Sequence, residues 1–267
     1  MNKIGLIAGN RRFPIVFSEA AKKKNVYIVA VALKGDTSSS LKRYVDKIHW
    51  IRLSEFEKMF EIFKSEGITK VVMVGQISPW RLFSRELQKN AALKDIISSI
   101  KDRKANTIFG AIADKLKEHG MELLDSTTFI EDLLPKEGIL SHRQPSTEEW
   151  ENVHFGMELA RQIAHLDIGQ TVAVKNKAIV AVEGLEGTDS LIRRAGKIAR
   201  GSMVVVKVSR PKQDMRFDIP VVGLNTIKNL IKSGASCLAI EANKTLFIDR
   251  QESISLADKK HLAIVAV

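Results

Sequence analysis

The stretch Lys3-Ile4-Gly5-Leu6-Ile7-Ala8-Gly9-Asn10-Arg11-Arg12-Phe13-Pro14 decides the fold class of this chain. Lys3 is followed by a short apolar run over 4–8, which predicts a buried strand over residues 3–8. The loop that follows leads to Pro14, a residue favoured in the first turn of a helix. A strand that passes directly into a helix is the beginning of a β–α unit, which is typical of mostly parallel sheets covered by helices.

The rest of the first half continues this alternation, which predicts a Rossmann-like domain with a mostly parallel sheet over residues 1–133. Large apolar residues at helical spacing predict an amphipathic helix over 55–65. The other elements expected here are strands over 26–33 and 70–74 and helices over 93–100 and 108–119.

The segment 134–145 has two prolines, a glycine and little periodicity, so it is predicted to link two domains. Residues 146–267 are expected to form a second α/β domain with a mixed sheet, and the ligand cleft is expected between the two domains. Its expected helices are 147–165, 188–200, 226–233 and 250–259, and its expected strands are 171–174, 178–183, 203–208, 237–240, 245–248 and 262–267, with a hairpin around Asn176.

The composition suits a globular protein of the cytosol. Of the 267 residues, 45% are hydrophobic and 27% are charged, which is ordinary for such proteins. The longest apolar run, 26–33, is too short to span a bilayer, and Met1 leads straight into the first predicted strand rather than into a signal peptide. Cys237 is the one cysteine, so an internal disulfide is excluded and a core position is expected for it.

The net charge of +11 and the pI near 9.7 indicate an anionic partner. Nucleic acid, an anionic membrane face and a highly charged small substrate are the candidates. The sequence has no zinc-ligand spacing, no aromatic RNA-binding signature and no evident recognition helix, so nucleic acid is the weakest of the three. A lysine-rich surface without a partner is the alternative.

Two loops that follow predicted strands are candidate binding sites. The loop of Gly9, Asn10 and Arg11 has one glycine where the dinucleotide fingerprint requires three, so an anion at the helix N-terminus is expected instead of a redox dinucleotide. Gln76 and Arg81 lie just past the strand over 70–74, where open α/β sheets bind ligands. Ordinary loop structure is the alternative for both.

A third loop, Glu183-Gly184-Leu185-Glu186-Gly187-Thr188-Asp189, crowds carboxylates ahead of a predicted helix. Their mutual repulsion makes a hard cation attractive, and Mg²⁺ prefers a few carboxylates together with phosphate oxygens. Glu186 and Asp189 are therefore candidate metal ligands. A capped helix start is the alternative.

The run from Gln213 to Ile227 is expected to be extended, because Pro220 disfavours helix at the residue before it. Alternation then places Asp214, Arg216 and Asp218 on one polar side, as a site for a charged phosphate ester requires. A half-exposed edge strand with ordinary surface charges is the alternative.

These segments together resemble the LpxI family of UDP-2,3-diacylglucosamine pyrophosphatases. The match is densest after Leu166, in the combination of Glu-Gly-Thr-Asp at 186–189 with Arg-x-Asp-x-Pro at 216–220. The resemblance implies Mg²⁺-dependent hydrolysis of UDP-2,3-diacylglucosamine to UMP and 2,3-diacylglucosamine 1-phosphate (lipid X) in lipid A biosynthesis. It also implies that Asp218 is the essential catalytic residue. We further expect Asp218 to be a metal ligand and Thr188 and Thr226 to contact the substrate.

The chemistry of the residues agrees with this resemblance. A pyrophosphate diester carries two negative charges, which Lys207, Arg216 and Mg²⁺ are expected to neutralise while Asp218 binds the metal or orients water. The two acyl chains need an apolar cavity. The basic surface is expected to bring the protein to the inner membrane as a peripheral protein, and a homo-oligomer is possible.

Three other functions are compatible with parts of the sequence. A carrier of nucleotide sugars or lipids on the same scaffold would bind the ligand without hydrolysis. A nicotinamide-dependent oxidoreductase is disfavoured by the missing glycines. A basic RNA-binding module would bind with a steep dependence on salt.

Overall fold

The computed structural model describes residues 2–77, 105–211 and 213–267. The chain divides into two compact units. The first unit contains Met1–Glu131 together with Asp214–Asp218, and the second contains Asp132–Gln213 together with Ile219–Val267. A five-residue segment from the second half of the sequence therefore belongs to the first unit.

The first unit is built on a five-stranded sheet in which all pairs are parallel. The chain runs outward from β1 to β2 and β3, and then returns to place β4 on the other side of β1. The strand order therefore reverses between β1 and β4. The strands are β1 (Lys3–Ala8), β2 (Tyr27–Leu33), β3 (Lys47–Ile51), β4 (Lys70–Val74) and β5 (Glu122–Leu123), in the order β3-β2-β1-β4-β5.

Three described helices belong to this unit: α1 (Phe13–Lys23), α2 (Lys58–Ser65) and α3 (Ala105–Glu118). Pro14 lies in the first turn of α1, as expected. The helix expected over 55–65 begins later, because a 3₁₀ turn over Leu53–Glu55 precedes it. The helix expected over 93–100 lies outside the described residues.

The second unit contains a six-stranded mixed sheet. Its central strands β9, β11 and β13 are parallel, whereas β6 and β7 join this group in antiparallel pairs and β8 forms a hairpin with β7. The hairpin turns at Asn176 and Lys177, both with positive φ. The strands are β6 (Gly138–Ile139), β7 (Thr171–Lys175), β8 (Ala178–Val182), β9 (Met203–Lys207), β11 (Ala235–Ile240) and β13 (Ala263–Ala266), and a separate parallel pair joins β10 (Val221–Val222) to β12 (Leu246–Phe247).

Helices cover both faces of this sheet. Val204 and Val206 pack on one face with α4, whereas Met203 and Val205 pack on the other face with α5, α6 and α7. Burial on both faces explains why β9 is apolar almost throughout. The helices are α4 (Thr147–His165), α5 (Thr188–Ala199), α6 (Leu224–Lys232) and α7 (Arg250–Lys259).

The expected fold class is therefore confirmed: both units are α/β, the first with a parallel sheet and the second with a mixed one. Cys237 is fully buried, and its burial raises the pKa of the thiol to about 12. Among the residues described, no helix has the length and apolar character that crossing a bilayer requires.

The prediction that the run beginning at Gln213 is extended is wrong over residues 214–218. Residues 214–218 form a tight turn, in which the Asp218 N–H donates to the Asp214 carbonyl at 2.9 Å. The Asp214 side chain also accepts from the Arg216 N–H at 3.1 Å. This local bond offers the backbone an alternative to a strand ladder, and only Val221–Val222 in this run joins a sheet.

Candidate functional site

The loops after β1 and β4 meet at the point where the strand order of the first sheet reverses. The Gly9 N–H donates to the Val74 carbonyl at 2.8 Å, and the Asn10 N–H donates to the Gln76 carbonyl at 2.7 Å. Open α/β sheets bind ligands at this position, beyond the carboxyl ends of the strands. The structure thus brings together three predicted contacts, Gly9, Asn10 and Gln76, in what we call the switch-point site.

The close approach of these two loops depends on glycine. A Cβ atom on Gly9 would lie 2.7 Å from the Gln76 carbonyl oxygen, a distance that real Cβ atoms do not reach. Gly75 has φ of +89°, a conformation that side chains disfavour. A side chain at either position would force the loops apart.

The switch-point site also contains the N-terminus of α1. Arg12 occupies the N-cap position without a side-chain cap, and no acidic residue lies in the first turn. The neighbouring Arg11 is exposed and has φ of +66°. Two arginines beside the positive end of a helix dipole favour a bound anion. Whether Arg11 contacts the substrate stays a prediction.

Ser126 ties the turn over 214–218 to β4. Its N–H donates to the Met215 carbonyl at 2.9 Å, and its hydroxyl oxygen lies 2.7 Å from the carbonyl oxygens of both Met73 and Arg216. A hydroxyl has one proton, so it donates to one of these carbonyls at a time. The turn is therefore attached to the strand that leads to Gln76.

Ser126 was not predicted from the sequence. It lies in the polar run Asp125-Ser126-Thr127-Thr128, where the Thr127 N–H and hydroxyl donate to Asp125 in an ordinary turn. This composition is a signal for a turn and gives no information about the distant segment that Ser126 holds.

The charges on the 214–218 turn are partly balanced within the turn. Arg216 donates from Nε and Nη2 to the two carboxylate oxygens of Asp214, at 2.9 and 2.7 Å. This pair lowers the pKa of the Asp214 carboxyl. Asp218 is half-buried at the end of the turn, and Phe217 packs against Phe109 with ring centroids 5.8 Å apart. Asp218 therefore sits on a turn anchored by both an ion pair and an aromatic contact.

The second unit holds a chain of three polar side chains, which we call the lysine cluster. Lys207, at the end of β9, donates from Nζ to the Thr188 hydroxyl at 2.7 Å. Thr188, at the start of α5, donates in turn to Glu183 Oε1 at 2.8 Å. The Gln170 N–H donates to the other Glu183 oxygen at 3.3 Å. The two predicted contacts Thr188 and Lys207 are thus brought together, with Glu183 behind them.

The charge of Lys207 is the unusual feature of this cluster. Lys207 is only 8% exposed. Within the described parts of the chain, however, no carboxylate oxygen lies within 4 Å of Lys207 Nζ. Buried charges are usually paired, because burial removes their hydration. An anionic ligand at the N-terminus of α5 would supply the missing charge.

The two predicted metal ligands of the second unit, Glu186 and Asp189, are bound by other side chains of the protein. Glu186 accepts from Arg194 Nη2 at 2.6 Å and from the Gly184 N–H at 3.0 Å. Burial is the largest single influence and raises the pKa of Glu186, but the bonds from Arg194 and from backbone N–H groups together outweigh it and the pKa is lowered. Asp189 is buried and accepts from Asn225 Nδ2 at 2.8 Å. Thr226 is buried in the first turn of α6.

The predicted metal ligands are not assembled within either unit. Glu186 and Asp189 lie in the second unit, whereas Asp218 belongs to the first. No group of three His, Cys, Asp or Glu side chains suited to a metal occurs among the residues described. Asp218 as one carboxylate ligand still suits Mg²⁺, which takes one or two carboxylates plus phosphate oxygens.

Arg81 lies outside the described residues, so its role stays a prediction.

Glu241, to which the sequence analysis assigned no role, positions the chain that leaves β9. It is buried and accepts from the N–H and the hydroxyl of Ser209, at 2.8 and 2.5 Å, and from Lys244 at 2.9 Å. Burial raises the pKa of Glu241, but these bonds outweigh it and the pKa is lowered. The Glu241 N–H also donates to the Lys207 carbonyl, so Glu241 helps to fix the backbone of the lysine cluster.

Solved structures offer only weak likenesses. A pyruvate carboxylase from Rhizobium etli aligns with a TM-score of 0.31 and 10% identity, over 65% of this chain and 15% of that chain. A carboxyaminoimidazole ribonucleotide synthetase from Thermotoga maritima aligns with a TM-score of 0.26 and 16% identity, over 70% of this chain and 43% of that chain. Scores this low support no inference about this protein.

Sequence relatives are far more informative. The chain is 28% identical to the UDP-2,3-diacylglucosamine pyrophosphatase LpxI of Caulobacter vibrioides over 277 aligned residues, which cover 100% of this chain and 98% of the relative. The family model of the LpxI N-terminal domain matches residues 3–133, and that of the LpxI C-terminal domain matches residues 136–265. The expected resemblance is confirmed, and the chain belongs to the LpxI family.

Proposed function

We propose that this protein hydrolyses the pyrophosphate bond of UDP-2,3-diacylglucosamine and releases UMP and 2,3-diacylglucosamine 1-phosphate in lipid A biosynthesis. Membership in the LpxI family makes it a hydrolase of pyrophosphate bonds. The substrate is the one for which the Caulobacter relative is named.

The observation that supports this proposal most strongly is the burial of Lys207 without a carboxylate partner among the described residues. A pyrophosphate diester needs its two negative charges neutralised before water can attack phosphorus. Lys207 is a buried cation whose nearest described partner is the Thr188 hydroxyl rather than a carboxylate. A phosphate oxygen would accept a hydrogen bond from the Lys207 ammonium and neutralise its charge. The N-terminus of α5 beside Lys207 adds a dipole that favours an anion.

The switch-point site supports binding of a nucleotide. The N-terminus of α1 lies there with no acidic residue in its first turn, and the exposed Arg11 adds positive charge. Gly9 lets the loop after β1 lie directly against the loop after β4, which fixes the backbone that enters α1. This site takes an anionic group of the substrate.

Asp218 is the residue we assign to the metal. We propose that Mg²⁺ is held by Asp218 together with substrate phosphate oxygens, as Mg²⁺ commonly is. Glu186 and Asp189 belong to the second unit, where they accept hydrogen bonds from Arg194 and Asn225, and their role as metal ligands stays a prediction. When bound, Mg²⁺ neutralises charge on the phosphate oxygens. Ser126 holds the turn that carries Asp218. On that turn, Asp218 would bind the metal or orient the attacking water.

The acyl chains of the substrate place it in a membrane, so we also propose that the protein works in the cytosol at the inner membrane surface. The net charge of +11 favours contact with anionic lipids.

The test is an assay of UMP release from UDP-2,3-diacylglucosamine in detergent micelles. We expect turnover with Mg²⁺, none after EDTA, and recovery when Mg²⁺ is restored in excess. Asp218→Asn should lower kcat by about 10³-fold, since both the metal and the water depend on it. Asp214→Asn, on the same turn, is the matched control and should retain most of the activity.

Two outcomes would contradict the proposal. Tight binding of the substrate without Mg²⁺-dependent release of UMP would indicate a carrier rather than a hydrolase. Turnover by Asp218→Asn at the wild-type rate would remove Asp218 from the reaction.

A further inference from the structure

The outer surfaces of α5 and α6 are strongly basic. Together with the C-cap residue of α5, the two helices carry six Lys and Arg residues, and all six are exposed. The acidic residue of α5, Asp189, is buried, and α6 has none. The six basic residues are Arg193, Arg194, Lys197 and Arg200 on α5 and Lys228 and Lys232 on α6.

These side chains form one continuous surface, which we call the α5–α6 face. The two helices pack against each other on the same side of the six-stranded sheet, and Arg193 Nη1 donates to Asn229 Oδ1 across them at 3.4 Å. Acidic residues occur at the borders of this surface: Glu186 pairs with Arg194 before α5, and Glu252 lies on the neighbouring helix α7.

Aliphatic side chains stand within and beside this basic surface. Ile198 is 59% exposed and lies one turn after Arg194 on α5, and Leu185 is 68% exposed next to Glu186. Large aliphatic side chains ringed by lysine and arginine are typical of surfaces that lie on a bilayer, where the aliphatics enter the acyl region and the cations contact lipid headgroups. A nucleic acid backbone offers the cations phosphates but gives the aliphatic side chains no partner.

We propose that the α5–α6 face is the surface by which this protein binds anionic lipid bilayers. The choice of a membrane as partner rests on the proposed function, because an acylated substrate lies in one. Basic residues near a surface of anionic lipid gain electrostatic attraction that falls with salt. The proposal therefore requires both the cations and the aliphatic side chains of this face.

The experiment measures partition of the purified protein onto vesicles of phosphatidylcholine with phosphatidylglycerol, by sedimentation. The combined variant Lys197→Glu, Lys228→Glu and Lys232→Glu should lower the partition coefficient by about 100-fold, because three attractive charges become repulsive. Ile198→Ser should lower it by about tenfold through lost insertion. Wild-type binding should weaken as NaCl rises and be near zero on pure phosphatidylcholine.

A matched control changes the same net charge elsewhere. Lys23→Glu, Lys42→Glu and Lys64→Glu replace exposed lysines of the first unit, and this variant should keep nearly all of the vesicle binding. Equal loss by the two triple variants, or no loss by either, would overturn the proposal in favour of a diffuse charge effect. Vesicle binding that survives the α5–α6 substitutions while binding of single-stranded RNA is lost would assign the face to nucleic acid instead.

Hydrolysis in detergent micelles separates this inference from the proposed function. None of the substituted residues belongs to the switch-point site or the lysine cluster, so all variants should release UMP at the wild-type rate there. Absence of hydrolysis by the wild-type protein would defeat the proposed function, whereas vesicle binding indifferent to the α5–α6 face would defeat only the present inference.

Discussion

Lys207 and Arg216 are both predicted to neutralise the substrate, and the structure places them in opposite circumstances. Arg216 is exposed, with 45% of its side chain accessible, and it is bound at two atoms by Asp214. Lys207 is 8% exposed and donates to a threonine hydroxyl. One cation is already neutralised by its neighbour in the chain, and the other is buried without a neutralising carboxylate among the described residues.

The two cations differ in how much binding energy each of them can give to an anion. An exposed ion pair contributes little and is screened by salt, and Arg216 must leave Asp214 before it can bind a phosphate fully. A buried cation without a carboxylate gains more from an arriving anion, since water does not screen the interaction. We therefore expect Lys207 to contribute more to turnover than Arg216.

Lys207→Met is expected to have the largest effect within this comparison. The loss of a buried cation at a phosphate should lower kcat/KM by about 10²–10³-fold. The free energy of unfolding should stay the same or increase, because a buried charge is replaced by an apolar side chain of similar size. UMP release and urea unfolding measure the two quantities.

Lys175 provides the matched control for Lys207. It is a lysine of the same sheet whose Nζ donates to the Ala199 and Gly201 carbonyls, at 2.8 and 3.0 Å. Lys175→Met should therefore lower stability and leave turnover near the wild-type value. A stability loss confined to Lys207→Met, with activity intact, would show that Lys207 is a structural residue.

Arg216→Gln should lower kcat/KM by only about tenfold, because its charge is shared with Asp214 before substrate binds. Asp214→Asn releases the guanidinium and should lower KM slightly at low ionic strength. Steady-state kinetics at two salt concentrations test both expectations. A larger loss for Arg216→Gln than for Lys207→Met would reverse the comparison.

Ser126→Ala tests whether the attachment of the 214–218 turn matters to Asp218. It removes a buried hydroxyl that lies 2.7 Å from two carbonyls, which should lower the free energy of unfolding by about 1–2 kcal/mol. We expect kcat to fall several-fold with KM little changed, since Asp218 would be held less firmly. Ser126→Thr, which restores a hydroxyl, is the control, and an unchanged kcat in Ser126→Ala would disconnect this bond from Asp218.

Glu241→Gln should have the smallest effect on turnover and a pH-dependent effect on stability. The folded protein lowers the pKa of Glu241 below its ordinary value of 4.5, so the ionised carboxylate stabilises the fold above that pH and this contribution is lost as the pH falls through the folded-state pKa. At pH 7 we expect a loss of about 1–2 kcal/mol. The difference from wild type should shrink below pH 4.5 in urea unfolding.

The exposed Glu252→Gln on α7 is the control for this prediction. It should differ from wild type by little at any pH. A constant difference between Glu241→Gln and wild type from pH 7 to pH 4 would mean that ionisation of Glu241 does not stabilise the fold.

Much of the fold could be predicted from local patterns. The strands over 3–8 and 70–74 and the helices over 147–165 and 250–259 have the bounds that were expected. Short apolar runs and helical spacing carry this information within each segment. The strand Lys47–Ile51 was not predicted, because its residues 47–50 are partly exposed and it lacks an uninterrupted apolar run.

The 214–218 turn shows where local patterns stop. Alternating polar and apolar residues suggested an extended segment, but the Asp214 side chain binds the backbone two residues on and bends it. The ion pair of Asp214 with Arg216 forms all the same, because the two side chains are close in sequence. The outcome depended on a competition between local hydrogen bonds and strand pairing, which composition does not resolve.

The order of strands and helices, the α/β class and the family could be predicted without a structure, because they depend on periodicity and on residue combinations along the chain. The three-dimensional contacts were needed to show that Asp218 belongs to the first unit and that Lys207 is buried without a carboxylate beside it among the described residues. Those facts rest on contacts between distant residues, such as Ser126 with Arg216, 90 positions apart. Such contacts form only when the fold closes, since chain separation by itself gives no preference for one partner over another.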